Sequence, residues 1–346
     1  MNKEARLYRR IGGGDVECCA CARRCRLKEG ARGFCQVRQN LNGRLCLLHY
    51  GSVSSLQIDP IEKKPFNHFM PGSRVLSIGT TSCNFRCSFC QNHDISKVAD
   101  AEGTELSPKK AVALAVLNRA KGIAYTYNEP TIFLEYALDV AKEARKSGLF
   151  NVFVTNGFMT DEAIGAMTGL IDAAVVNFKG NGEREFVSKY QSVPSSDRIR
   201  ESLIMMRKAK IHTEITDLIV PRVGDSLDAC DDLTRWIFRS LGADTPLQFT
   251  RFYPEYKMMD VAPTPYATLK KHYDIAKKNG LRYAYIGNSP GNAYENTYCP
   301  ACGAVAIGRN SYGIANWNLD EKMRCSGCGS HLGVFGNADG RIAEDD

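Results

Sequence analysis

The chain has 346 residues, 44% of them hydrophobic and 24% charged, a composition that excludes the disordered and fibrous classes. No apolar run approaches the ~18 residues of a membrane span. The formal charge of +7 sits at the start, where residues 1–50 hold 11 Lys/Arg against 4 Asp/Glu.

Met1 to Arg6 leads into no apolar stretch of the secretory type, so a cytoplasmic protein is expected. Fourteen cysteines in that setting read as ligands rather than disulfides, because the cytosol keeps thiols reduced. The basic start is either a solvated face around a metal site or a surface for an acidic partner.

Residues 1–70 are Cys- and Gly-rich, with Cys18, Cys19, Cys21 and Cys25 close together and Cys35 ten residues on. Residues 71–292 alternate strand-like and helix-like segments. Strands are predicted at Arg74–Ile78, Ile123–Tyr127, Asn151–Thr155, Ala173–Phe178, Ile211–Val220, Leu247–Phe252 and Arg282–Ile286. Between them the periodicity predicts a helix capped by Ser107, then helices over Thr131–Lys146, Asp161–Leu170, Asp197–Lys208, Leu227–Leu241 and Tyr266–Asn279. Residues 293–346 turn Gly- and Cys-rich again and close on Glu344-Asp345-Asp346.

Strands alternating with helices imply an α/β fold with a parallel sheet, and six or seven units suit a complete or partial TIM-like barrel, (β/α)6 in its partial form. Chemistry in such barrels sits at the C-terminal ends of the strands. The first predicted strand runs into Cys83-Asn84-Phe85-Arg86-Cys87-Ser88-Phe89-Cys90, a C-x3-C-x2-C loop. Three thiolates there suit three irons of a 4Fe–4S cubane and leave the fourth iron open, whereas a structural cluster takes a fourth Cys. A three-cysteine zinc site with a distant fourth ligand is the alternative. Phe89 stands where it would shield cluster and cofactor from water.

The triplet in this place resembles the radical S-adenosylmethionine (SAM) superfamily. The similarity extends to activating enzymes of the pyruvate formate-lyase type, and most closely to the AmmeMemoRadiSam system radical SAM enzymes. It is carried by Asp59-Pro60-Ile61-Glu62-Lys63-Lys64-Pro65, His68-Phe69-Met70-Pro71-Gly72, Cys90-Gln91-Asn92, Thr126 to Thr131, Thr155-Asn156-Gly157, Tyr285-Ile286-Gly287-Asn288 and a terminal CPxCG. The resemblance implies a radical SAM barrel over 71–292. There a cluster on Cys83, Cys87 and Cys90 cleaves SAM to a 5′-deoxyadenosyl radical. An external one-electron donor of flavodoxin or ferredoxin type is implied, with Memo- or AMME-type proteins as pathway partners.

The same resemblance assigns SAM contacts. Asn128 and Glu129 stand where the superfamily binds the SAM amino group, although Glu129 also suits a helix cap. Asn156 follows Val154, where activating enzymes often carry Asp, and is otherwise a turn residue. Asn177 and Lys179 occupy an Asp-x-Lys position with Asn for Asp. Gln248 replaces a usual His and is left a hydrogen bond to the ribose. Glu214 is a pocket polar group or the partner of a neighbouring cation.

Cys299-x2-Cys302 and Cys325-x2-Cys328, 22 residues apart, form a zinc-ribbon or rubredoxin pattern. The family pattern C-x2-C-x3-C-x9-C selects Cys18, Cys21, Cys25 and Cys35 and leaves Cys19 surplus. Zinc is expected at both outer sets, with iron or an iron–sulfur cluster the alternative. Residues 1–70 then form a metal-binding extension and 293–346 a metal-binding ribbon. The leading function is radical chemistry on a glycyl radical enzyme or other protein or peptide. A small molecule or nucleobase is the alternative target. A non-catalytic zinc protein binding nucleic acid accounts for the outer cysteines but not for the triplet.

Overall fold

Short apolar runs that stop at Gly or at a turn become strands, and the amphipathic stretches between them become helices on one face of the resulting sheet. The computed structural model describes residues 2–98, 100 and 103–336; the acidic Glu344-Asp345-Asp346 lies outside the described residues. Eight strands form the central sheet: β1 (Ser55–Pro60), β2 (Arg74–Gly79), β3 (Gly122–Tyr125), β4 (Phe150–Thr155), β5 (Ala173–Lys179), β6 (His212–Ile219), β7 (Leu247–Arg251) and β8 (Ala284–Gly287). From β2 to β8 each strand pairs in parallel with the next in chain order. β1 pairs antiparallel with β2 and forms the far edge, an addition that the alternating pattern did not predict.

The crossovers carry α1 (Pro108–Leu117), α2 (Leu134–Lys146), α3 (Asp161–Met167), α4 (Arg184–Gln191), α5 (Asp197–Lys208), α6 (Leu227–Leu241) and α7 (Tyr266–Lys278). Ser107 Oγ accepts from the Lys110 amide at 3.3 Å and starts α1, with Pro108 in the first turn where its missing N–H costs nothing. The helix predicted from Thr131 begins instead as a 3-10 turn over Pro130–Phe133.

Alternation along the strands divides the core. Ile78, Tyr125, Phe153, Val176, Ile215 and Phe249 face the helices. Val75, Ala124, Val152, Ala173 and Val175 face the other way, onto Ile61, Phe66 and Phe69 from the β1–β2 connection. Each Val, Ile or Phe among them, fully buried, contributes about 1.5–3 kcal/mol. Glu214 on β6 fixes that connection: its carboxylate accepts from the amides of Asn67 (2.7 Å), His68 (3.0 Å) and Phe69 (2.9 Å), with His212 Nε2 at 3.1 Å. Its role is an anchor, beyond the pocket group or simple cation partner expected from sequence.

The N-terminal region forms two three-stranded antiparallel sheets. It is tied to the central sheet where Ala22 N donates to Phe158 O and where Arg38 meets Glu135 of α2. Near the other end, Thr297–Tyr298, Val305–Asn310 and Gly313–Trp317 make a third such sheet. Arg309 Nη2 donates from it to Asn67 O at 2.6 Å. Among the described residues no helix is long and apolar enough to cross a membrane.

Candidate active site

β2 ends at Gly79, where an added Cβ would lie 2.9 Å from Tyr127 and 3.0 Å from the Thr126 carbonyl, so only glycine permits this approach of β2 to β3. The cysteine loop begins directly afterwards. Asn128, just past β3, clamps it: Oδ1 accepts from Thr80 N, and Nδ2 reaches Thr80 Oγ1 and the Thr81 and Ser82 carbonyls. Further on, Arg86 N donates to Gln191 O at 3.0 Å, Ser88 N to Tyr190 O at 2.9 Å, and Lys257 N to Ser88 O at 2.9 Å. Arg86 Nη1 folds back to Cys83 O at 2.7 Å. The loop is therefore held from outside by Asn128, the end of α4 and Lys257, and from within by Arg86, before any ligand is considered.

Cys83, Cys87 and Cys90 are free thiols on this one loop. Cys90 Sγ lies 3.0 Å from Ser96 Oγ, and the Phe85 amide approaches Cys83 Sγ at 3.4 Å. Burial pushes the Cys83 thiol far up and that of Cys87 to about 11, so a cation taking these ligands displaces protons. The donor set fits a cubane: three soft ligands share one loop that brings no fourth cysteine. Beside them Asn84 Nδ2 is buried without a partner.

The expected cofactor contacts divide. Lys179 is half-buried. Burial lowers its pKa, while Cys87, Asp217 and Cys90 favour the charged form, so its ammonium lies in the field of two of the thiols. Asn177 Oδ1 accepts from it at 2.9 Å. Asn156 Nδ2 donates to Asn84 Oδ1 at 2.7 Å, beside Cys83, and its own Oδ1 accepts from Phe158 N as in a turn. Glu129 is fully buried and occupied: its carboxylate accepts from Thr131 N (3.0 Å), Thr131 Oγ1 (2.5 Å), Thr155 Oγ1 (2.8 Å) and Asn156 N (2.7 Å). It caps the 3-10 turn and ties the ends of β3 and β4 together.

Phe89 stacks on Phe186 of α4, centroids 5.6 Å apart, and belongs to an apolar cluster with Val220, Phe252 and Met258. Gln248 shares a register row with Asn177 through Thr216. Its side chain lines a cavity of about 480 Å³ with Glu62, Asn67, Asn288 and Arg309, and none of the three thiols lines that cavity. Sequence reasoning missed Asn84, Arg23 and Asp217. Arg23 Nε donates to Asn84 O at 2.6 Å. Burial raises the Asp217 carboxyl to about 7, and it accepts from the Asn181 amide at 3.1 Å. Of these, only Arg23 was hinted at, by the basic excess of residues 1–50.

Cys299, Cys302, Cys325 and Cys328 converge, all four sulfurs within 4.8 Å of one another. Cys299–Cys328 is 3.6 Å and Cys302–Cys325 is 3.7 Å. One tetrahedral ion with Zn–S bonds of about 2.3 Å sets its sulfurs about 3.8 Å apart, so this set fits a single ion. Cys18, Cys21, Cys25 and Cys35 line one cavity of about 320 Å³. The Cys19 sulfur lies instead 3.7 Å from Glu17 O.

A family model described as the radical SAM superfamily matches residues 77–237. The uncharacterized protein MJ0808 of Methanocaldococcus jannaschii is 42% identical over 335 residues, 96% of this chain and 99% of that one. The uncharacterized protein MJ0674 of the same organism is 25% identical over 283 residues, 78% and 76% of the two chains. The crystal structure of a radical SAM methyltransferase from Sphaerobacter thermophilus aligns with a TM-score of 0.49 and 15% identity, over 62% of this chain and 66% of that one.

Proposed function

We propose that this chain, which belongs to the radical SAM superfamily through residues 77–237, binds a 4Fe–4S cluster on Cys83, Cys87 and Cys90 and SAM beside it. When bound, the cluster supplies the electron that splits SAM into methionine and a 5′-deoxyadenosyl radical, which takes a hydrogen atom from the substrate. The observation that carries the reading is the loop itself. Three free thiols follow the first parallel strand, with no fourth cysteine in the loop, and Asn128 holds it in place.

The chain's own residues bind, orient and exclude water. Lys179 offers a half-buried positive charge for the SAM carboxylate, and Asn177 aims it. The unpaired amide of Asn84 is a donor for the cofactor. Glu129 acts indirectly, by fixing Asn156 against Asn84. Phe89 packs the wall of the loop. The activating-enzyme resemblance makes a protein or peptide the expected hydrogen donor and an external low-potential protein the electron source. Residues 71–292 would form an open barrel for this chemistry, flanked by metal-binding units over 1–70 and 293–346.

The test is anaerobic reconstitution with iron and sulfide, reduction, addition of SAM, and assay of 5′-deoxyadenosine. Product from the wild type and none from a Cys83→Ala, Cys87→Ala, Cys90→Ala variant supports the reading. A wild type that carries the triplet cluster but neither binds nor cleaves SAM overturns it.

A further inference from the structure

The four N-terminal thiols differ from the C-terminal four in one respect that chemistry can read. All four line a single cavity, yet they do not close on one another. Among the described residues, the C-terminal set is the sole group of three or more His, Cys, Asp or Glu ligand atoms within 4.8 Å of one another. A mononuclear ion needs that closure, because all its sulfurs share one centre at about 2.3 Å. In a cubane each thiolate binds a different iron, so the sulfurs stand wider apart. The Cys83 loop, whose donor set fits a cubane, is likewise open.

We infer that Cys18, Cys21, Cys25 and Cys35 hold a second 4Fe–4S cluster, fully ligated by the protein and set against the loop of Cys83. The site is built for charge on sulfur. Phe34 N approaches Cys25 Sγ at 3.5 Å. Hydrogen bonds of this kind tune a cluster. Phe34 and Ile132 wall the cavity that the four cysteines line and keep it apolar.

The cavity also adjoins the other thiols. Arg86 donates to Phe34 O at 2.6 Å with one nitrogen and to Cys83 O at 2.7 Å with another. Arg23, between Cys21 and Cys25 in sequence, donates to Asn84 O, and both guanidinium groups lie over the Phe34 ring, at 3.5 and 4.5 Å. One arginine side chain thus separates the wall of the second site from a ligand of the first. It takes the iron–sulfur alternative over the zinc expected there from sequence. It does not depend on whether the Cys83 loop cleaves SAM.

The test uses the full-length chain with Cys83→Ala, Cys87→Ala and Cys90→Ala, reconstituted anaerobically with ferrous iron and sulfide and then desalted. Iron, acid-labile sulfide and zinc are measured, and the dithionite-reduced protein is examined by electron paramagnetic resonance. The expected result is about four sulfides per chain and a reduced-cluster signal that SAM does not alter. Adding Cys21→Ser and Cys35→Ser removes both. If that variant does not fold, the single Cys25→Ser change on the same background shifts the signal. A triplet variant with no labile sulfide and two zinc ions overturns the inference. So does sulfide that survives the serine substitutions, or a signal that Cys25→Ser leaves unmoved.

Discussion

Asn128 and Thr80 exchange two hydrogen bonds, from Thr80 N to Asn128 Oδ1 at 3.1 Å and from Asn128 Nδ2 to Thr80 Oγ1 at 3.1 Å. The same amide nitrogen reaches Ser82 O at 2.8 Å, one residue before Cys83. Replacing Asn128 by Ala leaves a buried amide and a carbonyl without partners, at a cost of about 2–3 kcal/mol. Asn128→Asp is expected to be no milder, since a carboxylate turns acceptor oxygens toward carbonyls. Both variants should hold several-fold less iron after reconstitution and unfold at lower temperature, as metal analysis and a thermal melt would record. Wild-type loading in either one would remove the clamp from the account.

Lys179 is a half-buried cation in the field of Cys87 and Cys90. Lys179→Met keeps the volume and removes the charge. Affinity for SAM should fall about tenfold, some 1.4 kcal/mol, with the fold intact. Asn177→Ala should cost less, because it only releases the aim of the ammonium. Titration of SAM against the reduced-cluster spectrum measures both. Equal affinity in wild type and Lys179→Met would place the carboxylate elsewhere.

Glu62 couples stability to pH. One carboxylate oxygen accepts from Gly72 N at 2.7 Å, and the other is buried without a partner. Burial lifts its pKa from the ordinary 4.5 to about 7, against the pull of Arg309. Between those values the folded chain keeps a proton that the unfolded chain has released. Its contribution therefore falls as pH rises through that window and is flat above it. Glu62→Gln should match wild type near the lower end and exceed it above the upper end, by on the order of 3 kcal/mol. Urea unfolding across the window measures the difference. A difference that does not change with pH would show that Glu62 ionises at its ordinary value.

Arg38 and Glu135 form an ion pair with both side chains 2% exposed. Their bonds measure 3.1 and 2.5 Å, and Arg38 Nε adds one to Ile132 O at 3.1 Å. Glu135→Ala strands a buried guanidinium and should cost about 3–5 kcal/mol. The double change Arg38→Leu with Glu135→Leu should recover most of that, since no charge is left in the interior. The urea midpoints of the two variants make the comparison.

Much of this molecule was legible locally. The strands from Arg74 to Gly287 follow apolar runs, and the helices over Asp197–Lys208 and Leu227–Leu241 match their periodicity end to end. The triplet stood out because ligands three and four residues apart need no tertiary knowledge to be read as a set. Asn128, Glu129 and Gln248 did not yield in the same way. Glu129 was read toward SAM, yet its four donors include Thr155 and Asn156, 26 and 27 residues away. Gln248 was read toward the ribose, yet it turns into a separate cavity beside Gly287 and Arg309.

Residue spacing by itself determined which cysteines group together and which segments become strands and helices, because side-chain periodicity and chelation both act over a few residues. The tertiary structure decided how far apart the grouped thiols stand, which polar side chains anchor backbone, and that Arg86 joins Phe34 to Cys83. Those are distances across a folded core, set by how the sheet, its helices and the terminal regions pack. Closed sulfurs at one end of the chain and open sulfurs at the other carry similar sequence motifs, and only packing separates them.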